Sequence, residues 1–231
     1  VAYRWFAAWT ADGTWARIHD TLRDRVRIAD GRDPQPSAGV LDSQSIKTSH
    51  GGEAIGYDAG KRVRGRKRHL LVDTNGLLLK AVVHSASLQD RHGAKRVLSG
   101  ITERYHRLGL VWVDGGYVNS VDASLTGWAA TEGLQVVAVP RNADVRGFQV
   151  LPRRWVVERT FAWLTRCRRL ARDYERKTAH SEAMIQVASI RLMLARLAGQ
   201  DVKPRGPIEI EAARRLTEDG TLKDEAKTDP Q

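Results

Sequence analysis

Apolar and polar positions along the chain switch between two periods, and the switches mark the elements. Residues 3–29 carry Trp5, Phe6, Trp9, Trp15, Ile18, Leu22 and Val26 at helical spacing, with Asp12-Gly13 dividing them into two helices. These aromatics read as helix-packing core rather than as a stacking platform for bases. A segment over 31–39, bounded by glycines and holding Pro34 and Pro36, reads as a linker. Residues 40–46 form a short strand with Asp42 near its start, and 48–60 reads as a loop. Apolar runs over 69–73 and 77–84 flank Asn75-Gly76, which marks a β-hairpin. An amphipathic helix over 89–108 follows, on Ala94, Val97, Leu98, Ile101 and Tyr105. The run 110–114 is apolar until Asp114 and then meets Gly115-Gly116, the pattern of a buried strand opening into a site.

A helix over 118–132 and a buried strand over 134–139, ended by Pro140, come next. Residues 153–174 read as one helix, with Pro152 just before its first turn. Val156, Trp163, Cys167, Leu170 and Tyr174 form one apolar line, and Val157, Phe161 and Leu164 widen it, so this helix is expected to lie against a sheet. Arg154, Glu158, Ala162 and Arg166 sit four apart on the margin of that face. An apolar helix over 182–197 ends the body, and from residue 200 the chain is polar and charged, a weakly ordered tail.

Three antiparallel strands followed by alternating helix and strand define a mixed α/β class. The expected architecture is a five-stranded mixed sheet with flanking helices, plus a small N-terminal helical piece. This is the element order of the ribonuclease H-like fold, in which the first strand, the fourth strand and the helix after the fifth converge at one end of the sheet. The chain then divides into a helical piece at 1–30, a linker at 31–39, a main domain at 40–199 and a tail at 200–231.

Charge narrows the class. With 38 Lys and Arg against 27 Asp and Glu, the chain of 231 residues carries a formal charge of +11, which calls for a polyanionic partner, nucleic acid or an anionic membrane surface. No apolar run approaches the ~18 residues of a membrane span, and no secretory signal is present. One cysteine, Cys167, makes no internal disulfide and points to the cytosol. A lone Cys with scattered His also excludes a zinc finger or a Cys–His nucleophile. The first residue is Val1, so an alternative start or a missing N-terminal portion is expected.

Three acids, Asp42, Asp114 and Glu158, fall on the elements that the fold brings together. Each has a plainer reading: a strand-start acid, a turn acid before Gly115-Gly116, and a surface carboxylate paired along its helix with Arg154. The sharper reading is a set of hard oxygen ligands for two divalent ions, Mg2+ or Mn2+, in phosphoryl transfer on nucleic acid. Asp73 reads as a turn acid, and Asp90 as a helix cap or an indirect support of the site. The run KRVRGRKR over 61–68 holds six cations in eight positions. It reads either as a solvated face or, beside the acids, as a phosphate-contacting surface of Lys61, Arg62, Arg64, Arg66, Lys67 and Arg68.

Five motifs carry a family resemblance: LDSQSIKTS at 41–49, GYDAGKRVRGRKRHLLVDTNG at 56–76, SLQDRHGA at 87–94, VWVDGGY at 111–117 and RRWVVERTFAWLTRCRRLARDYE at 153–175. Together they resemble the DDE transposases of bacterial insertion sequences, most closely the insertion-sequence-five group. The resemblance implies that Asp42, Asp114 and Glu158 are the catalytic, metal-binding triad and that Arg154 is the family's arginine four before its glutamate. It implies metal-dependent strand cleavage and transfer with Mg2+ or Mn2+, two ions, on double-stranded DNA. It also implies a homodimer or larger assembly on DNA, a bacterial cytoplasmic location and no membrane. The family's tyrosine three before the arginine is Leu151 here, and its basic residue seven after the glutamate is Thr165, with Arg166 next to it as the substitute. His92 stands where an Asp is expected. Other readings are an inactive DNA-binding relic or regulator and, more remotely, a host ribonuclease H-like nuclease.

Overall fold

The structure is a computed structural model that describes residues 1–49, 51–118, 124–139 and 153–200. Helices α1 (Ala2–Ala11) and α2 (Thr14–Ala29) precede strands β1 (Ala38–Lys47), β2 (Gly56–Asp58), β3 (Val63–Asp73) and β4 (Leu78–Ser85). Helices α3 (Asp90–Leu98) and α4 (Ile101–Arg104), strand β5 (Leu110–Asp114), helix α5 (Ser124–Thr131) and strand β6 (Gln135–Val139) follow. Helices α6 (Trp155–Thr165) and α7 (Thr178–Leu197) complete the described chain. The expected tail beyond residue 200, and most of the residues around Pro140 and Leu151, lie outside the described residues.

One edge of β3 pairs antiparallel with β1, while its other edge takes β2 and then β4, both antiparallel. Strand β5 runs parallel to β1, and β6 parallel to β5. With short β2 set aside the order is β4-β3-β1-β5-β6, which fits the expected mixed α/β sheet of ribonuclease H-like order. The sheet has six strands rather than five, because β2 forms inside the stretch read as a loop. Helices cover both faces. Leu41, Leu71 and Val111 meet α3 and α5 on one side, and Val40, Leu70 and Val72 meet α6 and α7 on the other. Fully burying one such leucine contributes about 1.5–3 kcal/mol.

Two expected long helices are broken. The 89–108 helix stops at Ser99 because Gly100 takes a left-handed φ of 66°, and the short α4 starts after it. Tyr105 is thereby released from a helical face and fully buried. The 153–174 helix ends at Thr165 and gives way to a 3-10 turn at Arg168–Leu170. Buried arginines hold the chain beyond the second break. Arg68 donates to Leu170 O (2.8 Å), and Arg66 donates to Glu175 O (2.7 Å) and Arg176 O (2.8 Å). Tyr174, expected on the apolar face, is accordingly exposed, and Cys167, expected in the core, is half-buried.

The N-terminal helices do not stand apart from the body. Val26 of α2 packs with Leu77, Ile190 and Met193. Arg27 forms a buried ion pair with Asp73, and Arg23 donates to Tyr105 Oη (2.5 Å). Breaking a buried pair of this kind by removing one partner costs about 3–5 kcal/mol. Asp73 also accepts from Asn75 N and Leu77 N, both at 2.8 Å, so it is the turn acid that the hairpin required. Among the described residues no helix is long and apolar enough to cross a membrane.

Asp20 sits in the same joint, accepting from Arg23 (2.8 Å) and pairing with Arg104 of α4. Burial pushes its carboxyl up, but His19, Arg23 and Arg104 outweigh burial and hold it at about 2. A depressed acid adds stability above its unfolded pKa of about 3.9 and loses it as pH falls through the folded value. Asp20→Asn is therefore expected to lower the thermal midpoint at neutral pH, with the gap from the parent chain closing between about pH 4 and pH 2. Thermal melts of both proteins across that range check it.

Candidate active site

Strand parity brings the first two acids together. Val40 and Trp112 are partners in the parallel β1–β5 register, and both bury on the face carrying α6 and α7. Asp42 and Asp114 lie two residues further along each strand, so they emerge side by side on that face. Helix α6 crosses it with Val156, Val157, Phe161 and Leu164 in the core. Arg154 and Glu158, one turn apart, are left on the margin directed at the two aspartates.

One guanidinium joins all three acids. Arg154 Nη1 lies 3.2 Å from Asp114 Oδ1, and Nη2 lies 3.5 Å from both Asp42 Oδ2 and Glu158 Oε1. The carboxylates of Asp42 and Glu158 are therefore no more than twice that distance apart. Arg154 itself is buried, at 6% exposure. Side-chain exposure of the acids rises from 18% at Asp42 to 38% at Glu158 and 47% at Asp114, so the cluster is a notch open on the Asp114 side. Burial raises the Asp42 carboxyl above its ordinary pKa, with the Asp114 charge adding to it, against the Ser43 N–H, Arg154 and Lys61. Asp114 also accepts from Gly115 N (2.6 Å) and caps the 3-10 turn Gly115–Tyr117, as the turn-acid reading expects, while lying 3.2 Å from Arg154.

Carboxylate oxygens are the donors that Mg2+ and Mn2+ prefer, so the chemistry of the set fits such an ion. The space among them is taken by the guanidinium. Among the described residues no three acids, histidines or cysteines stand close enough, as arranged, to enclose a metal.

The basic run divides. Lys61, Arg62 and Arg64 are exposed, and Lys61 Nζ reaches Ser43 O (3.4 Å), beside Asp42. Arg66, Lys67 and Arg68 are buried, which corrects their reading as a phosphate-contacting surface. Antiparallel pairing from Lys47 to Gly39 carries β3 into the sheet interior and takes these side chains with it. Arg66 and Arg68 hold the chain after α6, with Arg66 also 3.4 Å from Asp173. Lys67, on the opposite face, pairs with Asp90 (2.9 Å) and Asp58 (3.5 Å). Ser43 Oγ donates to the same Asp90 oxygen (2.9 Å), so Asp90 braces the residue beside Asp42 rather than joining the acids. Arg166 lies at the C-cap of α6 with its side chain exposed, about 12 Å along the helix from Glu158. It is not brought into the cluster.

Arg153 precedes Arg154 in the turn that leads into α6. It takes a left-handed φ of 72° and sets its guanidinium 4.6 Å from the Trp112 ring centroid, at the entrance to α6. No pattern in the sequence signals that conformation, which arises only where the chain turns into α6.

Residues 33–193 match the family described as the transposase DDE domain, and the chain belongs to that family. The match begins after α2, so the two N-terminal helices lie outside it. Among individual proteins, the chain is 32% identical over 121 residues to the "Putative transposase for insertion sequence element IS402" of Burkholderia cepacia, covering 49% of this chain and 55% of that protein. The chain thus spans little more than half the length of this relative. It also superposes loosely on a chain in the cryoEM structure of the simian T-cell lymphotropic virus intasome in complex with PP2A regulatory subunit B56 gamma. That likeness has a TM-score of 0.43 and 14% identity, over 65% of this chain and 48% of that one.

Arg66→Ala is expected to cost about 3 kcal/mol or more, since it strips Asp173 and several carbonyls of a buried partner. Arg64→Ala is expected to stay within about 0.5 kcal/mol of the parent chain. Urea unfolding midpoints of the two variants separate the buried half of the basic run from the exposed half.

Proposed function

We propose that this chain is the catalytic domain of an insertion-sequence transposase that cuts DNA and joins the cut end to a new strand, with Asp42, Asp114 and Glu158 as its acid triad. The observation that carries this reading is the meeting of three carboxylates, from β1, β5 and α6, around one buried guanidinium in a notch open to solvent. Asp42, Asp114 and Glu158 would hold Mg2+ or Mn2+, in two positions. Such ions supply activation of the attacking oxygen and stabilisation of the leaving oxygen in phosphoryl transfer.

The chain's own part is binding and alignment. Exposed Lys61, Arg62 and Arg64 on one side, and Arg166 with the cations that follow α6 on the other, meet backbone phosphates on either side of the notch. Arg154 offers a planar fork to a phosphate at the centre. The ribonuclease H-like sheet keeps Asp42 and Asp114 on one face by parity alone, so their spacing does not depend on a loop. In this reading the protein acts in the bacterial cytoplasm, as a dimer or larger assembly on double-stranded DNA.

Replacing Asp42, Asp114 or Glu158 with Ala is expected to lower cleavage of a supercoiled or end-labelled duplex by more than about a hundredfold, beyond what losing an outer partner of a metal ligand costs. Binding of the same duplex is expected to persist, because the acids repel phosphate. Near-parental cleavage by Asp114→Ala removes this triad. A chain that binds DNA but cuts it with neither Mg2+ nor Mn2+ is the inactive relic or regulator instead.

Phosphate contact also sets the salt dependence. Engaging ~6 phosphates gives a log–log slope of about −5 for the binding constant, or roughly three decades between low and physiological salt. Competition between element ends and random duplex at two salt concentrations is expected to show little sequence preference. More than about a tenfold preference for the ends that persists at the higher salt means that this chain reads bases.

A further inference from the structure

Arg154 is held in an unusual way for a buried cation. Its three ion pairs, at 3.2, 3.5 and 3.5 Å, are all longer than the ~2.7–2.9 Å of a tight charge-assisted hydrogen bond. Its Nε is buried and has no hydrogen-bond partner among the described residues. It stands at the N-cap of α6, where the helix dipole disfavours a positive charge. Arg68 also leaves its Nε without a partner, but it and Arg66 bond carbonyl oxygens at 2.7–3.0 Å, closer than any contact Arg154 makes to the acids. Arg154 is thus enclosed by anions without being saturated by any of them.

The acids have the converse need. Three carboxylates that converge on one point require a cation there, and the guanidinium is the one in their midst. A buried guanidinium in turn cannot be left without an anion. Removing Arg154 from the acids is therefore favourable only when another anion receives it. A DNA phosphate, with oxygens spaced for a bidentate fork, is an anion of that kind.

We propose that Arg154 is an exchangeable counter-ion: without DNA it neutralises Asp42, Asp114 and Glu158 and suppresses metal binding, and a DNA phosphate draws it off so that metal and DNA load together. The inference rests on the reading of the three acids as metal ligands. Thermodynamic linkage makes the effect reciprocal, with DNA tightening metal binding and metal tightening DNA binding by the same factor. Arg154 is a positioning residue in this role, acting through the acids, and the protein would hold little divalent metal until substrate arrives.

Mn2+ binding to the full, DNA-free chain, followed by the paramagnetic resonance of free Mn2+, tests it without any turnover. Arg154→Gln is expected to bind Mn2+ about tenfold or more tightly than the parent chain, within the usual range of such couplings. Arg154→Lys, which keeps the charge, is expected to stay within about threefold. Arg153→Gln removes the adjacent charge, which faces Trp112, and is also expected to stay within about threefold, which distinguishes displacement from a general change in field. Adding a short random duplex should tighten Mn2+ binding more in the parent chain than in Arg154→Gln. Equal or weaker Mn2+ binding by Arg154→Gln, or equal tightening by Arg153→Gln, overturns the exchange. Should Arg154→Gln fail to fold by circular dichroism, sulfate added to the parent chain takes its place, and it must tighten Mn2+ binding or the idea fails. Absence of Mn2+ binding in every form, with DNA present, overturns the metal reading of the site itself and this inference with it.

Discussion

A guanidinium removed from water must be met by anions or carbonyl oxygens, and this fold is organised around several that are. Arg154 gathers Asp42, Asp114 and Glu158 from three separate elements. Arg66 and Arg68 tie the chain after α6 to the centre of the sheet. Arg27 and Arg23 fasten α2 to the hairpin and to Tyr105. The same physical demand therefore holds the chain after one helix, the docking of another and the convergence of the acids. Part of a formal charge of +11 is spent inside the molecule rather than displayed to a partner.

The two faces of the sheet have different duties. Odd positions of β1, with β3 and β5, bury against α3 and α5, where Lys67, Asp90 and Ser43 form a polar brace under the edge that carries Asp42 and Asp114. Even positions carry the core beneath α6 and α7, and at their open end Asp42 and Asp114. Gly93 lets α3 come down onto this brace: a Cβ there would fall 2.3 Å from His69 Cε1 and 2.6 Å from His84 Nε2. His69 and His84 are hydrogen-bonded at 2.8 Å, and burial lowers the pKa of both, that of His69 to about 3. The site edge thus rests on a rigid, uncharged imidazole pair on one side and on a charged, loosely held guanidinium on the other.

Features set by local pattern were legible in the sequence. The period-two strands, the Asn75-Gly76 hairpin, the acid ending β5 and the apolar stripe of α6 all follow from neighbours a few residues apart. The placement of Asp42 and Asp114 on one face follows from parity once the sheet is granted. Features set by distant partners were not legible. Arg66 and Arg68 look like surface cations because charged side chains seldom bury, and nothing nearby reveals the carbonyls of Leu170 and Glu175 that hold them. Helix α6 seemed to run on to Tyr174, and the short β2 was hidden in a stretch of turn formers. Gly100 was visible as a letter, but its left-handed conformation depends on how α3 and α4 pack.

The central claim is that Arg154 and a metal ion are alternative cations for one carboxylate triad. Anomalous diffraction at the manganese edge, from crystals of this chain with a duplex and Mn2+, addresses it most directly. The account predicts manganese bounded by the carboxylates of Asp42, Asp114 and Glu158, with the Arg154 guanidinium turned onto a DNA phosphate. Manganese bound away from these acids, or bound among them while Arg154 keeps all three contacts, would contradict it.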